Sequence, residues 1–115
     1  MKGFTQEEEV ELFKEYLRIK TVQPVANEEY KRAAEFLVGL GSKMGLKPQV
    51  HELHEGKKVV ILTLEGSQAH LPAILLNSHI DVVPVEEEKW ECDPFEAKER
   101  ENGDIVARGS QGKKN

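Results

Sequence analysis

Cysteine is all but missing: Cys92 is the single one in 115 residues. No intramolecular disulfide can staple the chain, and such sparing use is what a reducing cytosol tolerates, so the expected compartment is cytoplasmic. Long apolar runs are missing too. None approaches the ~20 residues needed to span a bilayer, and the opening MKGFTQEEEV has no apolar centre of a secretory signal. No membrane partner is expected. Basic clustering is equally lacking, because 16 Lys and Arg are scattered among 21 Asp and Glu for a net charge of -5, and the closing Lys113-Lys114 pair is short. That balance excludes a nucleic-acid partner. There is no Gly-rich phosphate loop, no nucleophile elbow and no internal repeat.

What remains is 38% hydrophobic and 32% charged, the balance of a soluble acidic protein with room for one domain. Thr5 followed by Glu8 has the form of a capping box, and Val10, Phe13 and Leu17 recur behind it at helical spacing. The acidic run Glu7 to Glu9 then reads as a solvated helix start, favoured by the helix dipole. KTVQPVAN, with Pro24 inside and Asn27 as an N-cap, connects to a second helix from Glu28 to Met44. Its face is Tyr30, Ala33, Ala34, Leu37, Leu40 and Met44, and Gly45 stands where a left-handed cap is needed. Two strands follow, Lys47 to Leu53 and Lys58 to Leu64, joined as a hairpin through Glu55-Gly56.

The stretch AILLNSHIDVVPV, Ala73 to Val85, organises the rest. Ile74, Leu75 and Leu76 form the unbroken apolar run of a central strand covered on both faces. Asn77, Ser78, His79 and Asp81 then stand at its carboxyl end, where open α/β sheets place ligands. Beyond Pro84 a long polar loop pinned by Trp90 and Phe95 leads to an Asn102-Gly103 turn, a short strand from Asp104 to Arg108, and Gly109.

His79 and Asp81 are the candidate site. A neutral imidazole is a good zinc ligand, and a carboxylate two residues on can orient it. A His near a strand end also serves as a hydrogen-bonded structural residue, and the pair alone does not decide between the two. His51, His54 and His70 lack ligand-like spacing and read as surface imidazoles. Cys92, between Glu91 and Asp93, is in an acidic setting that disfavours a thiolate nucleophile.

LLNSHIDVVPVEEEKWECDPFEA followed by GDIVARGSQ, with YLRIKTVQP near the start, resembles the amino-terminal part of the aminoacylase branch of the co-catalytic zinc peptidases. The resemblance covers nearly the whole chain up to Gln111. It implies an α/β catalytic domain with a mixed, mostly parallel central sheet and flanking helices. It also implies hydrolysis of N-acyl-L-amino acids to amino acid and carboxylate by a zinc-bound water, with two Zn2+ per site and a homodimer. His79 matches the first metal ligand, and Asp81 matches the catalytic aspartate that positions it. In the family, Ala-Arg-Gly leads into an aspartate that bridges the two metals. Here Gly112 holds that place. Residues 1–111 are therefore expected to be an incomplete zinc-hydrolase catalytic domain and 112–115 a divergent tail. Such a chain would be truncated and inactive alone, its hydrophobic sheet face uncovered. The alternative is a non-catalytic isoform that docks on full-length subunits, or an unstable fragment.

Overall fold

The computed structural model describes residues 2–111. Helix α1 runs over Gln6–Leu17 and helix α2 over Asn27–Lys43. Strands β1 (Lys47–His54) and β2 (Lys57–Thr63) form one antiparallel pair, and β3 (Lys98–Glu99) and β4 (Ile105–Val106) a second. Helices with small antiparallel sheets make this a mixed α/β chain.

The helix ends follow from their caps. Thr5 Oγ1 accepts from the Glu8 amide at 3.2 Å while Glu8 Oε2 accepts from the Thr5 amide at 2.8 Å, the reciprocal box read from the sequence. An N-cap of this kind is worth about 1 kcal/mol. Helix α2 starts one residue earlier than expected. Its cap is Ala26, which has no side chain to accept, and Asn27 is already helical. The Asn27 side chain instead lies over Gly56 in the hairpin turn, where a Cβ would collide with it. At the other end Leu46 donates to the Gly41 carbonyl at 2.8 Å and Gly45 to that of Ser42 at 3.1 Å. With Gly45 at φ +78°, this is a Schellman stop, and glycine adopts that backbone without steric cost.

β1 and β2 pair as expected, Val50 opposite Val60 and Pro48 opposite Leu62, with an irregularity between Glu52 and His54. Helix α2 packs on this hairpin. Gly41 makes the approach close, since a Cβ there would collide with a Leu62 methyl. A residue that weakens the helix locally thus serves its packing.

The expected parallel central sheet is not present among the described residues. Ala73 to Asp81 forms no strand, and Ile74, Leu75 and Leu76 are 91%, 85% and 91% exposed. The reason is physical: a strand exists only through hydrogen bonds to a neighbour, and both sheets are closed two-stranded pairs that lie elsewhere. Among the described residues the one isolated bridge is parallel, Val22 with Val82.

The long loop is more structured than its polarity implies. Lys98 pairs with Val106 and Glu99 with Ile105 across a turn in which Asn102 Oδ1 accepts from the Asp104 amide at 3.0 Å. The short strand expected over Asp104 to Arg108 is therefore there, narrowed to Ile105–Val106, with a partner the sequence reading left in the loop. The two aromatics do pin it. Arg108 lies 5.1 Å over the Trp90 ring and Lys20 5.6 Å over Phe95. Leu17, Ala97 and Ala107 form a buried cluster with Ile105 packed against it. Arg18 Nε donates to the Glu96 carbonyl at 3.0 Å, which ties the end of α1 to this loop.

Candidate metal-ligand pair and its support

The segment after α1 builds the site from below. Thr21 is 4% exposed, and its hydroxyl donates to the Ile80 carbonyl at 2.9 Å. The Val82 amide donates to the Thr21 carbonyl at 2.8 Å, and the Gln23 amide to the Val82 carbonyl at 3.0 Å. Three bonds thus clamp Thr21–Gln23 along Ile80–Val82. A β-branched Thr-Val pair ahead of Pro24 favours the extended backbone this needs.

The clamp presents His79 and Asp81 together. His79 Nδ1 lies 2.7 Å from the Asp81 carbonyl oxygen and 3.2 Å from Asp81 Oδ1. A carbonyl can only accept, and so can an ionised carboxylate. In the neutral ring Nδ1 therefore carries the proton and donates, which leaves the lone pair on Nε2. This is the tautomer that suits ligation of a metal through Nε2. The His79 side chain is 79% exposed, so Nε2 is open to a ligand. Asp81 Oδ2 accepts from Gln23 Nε2 at 2.9 Å. That bond holds the Asp81 carboxyl below its ordinary range, with partial burial opposing and the His79 bond assisting.

On the other side, Gly109 at φ +90° brings the 107–111 turn against the clamp, and a Cβ there would come within 3.0 Å of a Val82 methyl. The Arg108 amide donates to the Pro94 carbonyl at 2.8 Å, fixing the turn to the loop. Gly112, expected from the resemblance to stand at the place of a bridging aspartate, lies outside the described residues.

The pair fits one metal ligand and its orienting carboxylate. Among the described residues there is no group of three or more His, Cys, Asp or Glu that could hold a metal ion. His51 and His54 lie exposed on β1 and His70 is exposed before Ala73. Cys92 is a free, half-buried thiol. An open cleft lined by Trp90, Arg100, Asp104 and Ser110 lies on the β3–β4 loop, with neither His79 nor Asp81 in its wall. Thr21 and Gln23 are the residues the sequence reading missed. Their only local signal is an extended Thr-Val-Gln before a proline, which reads as a plain connection. No described helix is long and apolar enough to cross a membrane.

Comparison with known proteins adds the family. Residues 75–115 match Peptidase family M20/M25/M40. Over 102 residues, 89% of this chain, the sequence is 50% identical to aminoacylase-1 of Mus musculus and covers 24% of that protein. The human aminoacylase-1 is 47% identical over the same share. Aminoacylase-1 of Dictyostelium discoideum is 35% identical over 111 residues, 96% of this chain and 26% of that protein. The chain thus spans about a quarter of the length of the curated relatives it matches. It is similar to aminoacylase-1 over most of its length, and its residues from Leu75 onward match peptidase family M20/M25/M40.

Proposed function

We propose that His79 is a zinc ligand and Asp81 the residue that positions it, in a hydrolase of N-acyl-L-amino acids. The observation that carries this is the placement of His79 Nδ1 between two acceptors, which leaves Nε2 free and exposed. The relatives' name, aminoacylase-1, supports the substrate class, and the single free cysteine supports a cytoplasmic setting. When bound, a zinc pair supplies Lewis-acid polarisation of the amide carbonyl and an activated water. Asp81 holds the imidazole's proton on Nδ1 and fixes the ring, and the Thr21–Val82 clamp holds Asp81. The resemblance implies a homodimer for the intact family.

A catalytic zinc normally keeps three protein ligands. The described residues offer His79, and a glycine at position 112 offers no side-chain ligand. The 115-residue chain with Zn2+ is therefore expected to give no turnover of N-acetyl-methionine. A chimera that carries Gly112→Asp and continues into the remainder of mouse aminoacylase-1 is expected to hydrolyse it, and His79→Ala in that chimera to lower kcat/KM by more than about 100-fold. Turnover by the short chain would refute the incomplete ligand set, and an active His79→Ala chimera would refute the role of His79.

A second reading, a non-catalytic chain that docks on a full-length aminoacylase subunit, is favoured by the bare apolar run of Ile74, Leu75 and Leu76.

A further inference from the structure

We propose that Gln23 is a positioning residue that locks the Asp81 carboxylate and, through it, the His79 ring. The inference rests on the proposed role of His79 but is carried by separate geometry. Gln23 Nε2 donates to Asp81 Oδ2 at 2.9 Å, while Asp81 Oδ1 faces His79 Nδ1 at 3.2 Å. The last torsion of an aspartate is broad, and a hydrogen bond to each of the two oxygens narrows it. Gln23 holds one of them, which leaves the other turned to the imidazole.

Both side chains are solvent-accessible, and a lone glutamine on a surface carboxylate exchanges readily with water. This one is delivered by backbone. The Gln23 amide donates to the Val82 carbonyl at 3.0 Å, the Val82 amide to the Thr21 carbonyl at 2.8 Å, and the Thr21 hydroxyl to the Ile80 carbonyl at 2.9 Å. Bonds to the residues on either side of Asp81 set the register, so the Gln23 side chain emerges beside Asp81 and nowhere else. The Asp81 carbonyl, at 2.7 Å the nearer acceptor for Nδ1, remains. Loss of Gln23 therefore loosens the ring without releasing it.

The test uses the 115-residue chain, metal-free, with the nitrogen shifts of the neutral His79 ring read by NMR. The parent is expected to show Nδ1 protonated. Gln23→Met keeps the bulk and loses the donor, and is expected to shift both ring nitrogens toward a mixture of tautomers while the Thr21 and Val82 amides stay in place. Gln23→Lys still donates and is expected to keep the parent pattern. An unchanged ring in Gln23→Met overturns the proposal. If that variant loses the Thr21–Val82 pairing, the lysine variant decides: a parent pattern supports the proposal and a mixed one overturns it. Adding Zn2+ alone then tests the underlying reading. His79 Nε2 is expected to move, with about tenfold weaker apparent affinity in Gln23→Met. A ring that ignores Zn2+ removes the ligand role of His79 and leaves the Gln23 result standing on the tautomer.

Discussion

At the scale of single residues, the chain shows which contacts a sequence can declare. Thr5 and Glu8 are three apart and find each other within one turn, so their box was legible. His79 and Asp81 are two apart at a chain tip, and their meeting was legible for the same reason. Gln23 and Asp81 are 58 residues apart, and nothing local in Thr-Val-Gln-Pro points to a carboxylate. Ala97 was invisible for another reason. It is 1% exposed with φ at +53°, a backbone region that costs a non-glycine residue roughly 1–2 kcal/mol. Only the packing of Leu17 and Ala107 around it makes that worthwhile. Ala97→Val adds a branched side chain to both the strain and the crowding, and is expected to destabilise by about 2–4 kcal/mol. Denaturant unfolding checks it, and a change below about 0.5 kcal/mol would mean the site has slack.

At the scale of elements, the two helices and the β1–β2 hairpin were readable because each carries its own period and its own stop. The hairpin turn adds an electrostatic latch. Glu52 Oε1 accepts from the Gly56 amide at 2.9 Å and from Lys58 Nζ at 3.4 Å, and the Gly56 bond first, Lys58 second, pull its carboxyl below the ordinary glutamate value. A depressed carboxyl stabilises above its unfolded-state value, and that contribution is lost as pH falls through the folded-state value. The Gly56 amide shift is therefore expected to titrate with a midpoint below that of an ordinary glutamate. Glu52→Gln should abolish the transition, and a midpoint in the usual range would show that the latch is open in solution. The run of Ile74 to Leu76 was misread at this scale. Its composition specifies burial, but pairing is a property of two strands, and sequence in one of them cannot supply the other.

At the scale of the whole molecule, that run is an exposed apolar segment with no neighbouring strand, the arrangement that promotes association. Purified chain is expected to associate with rising concentration in light scattering, and Ile74→Lys with Leu76→Lys to suppress it. The same double change should weaken co-migration with full-length aminoacylase-1 if the docking reading holds. A parent chain that stays monomeric and ignores the full-length protein would leave these residues merely solvated, and the docking reading without support.

The bridge between Val22 and Val82 has a consequence in time as well as in space. It closes a loop that contains α2 and the entire β1–β2 hairpin, elements that assemble from near neighbours, whereas the bridge must bring together distant chain before it gains a single bond. The His79 tip is thus expected to build late, on a frame already in place, and to be among the first parts to open. Anything that grips the closed tip draws on that equilibrium and stabilises the chain by mass action.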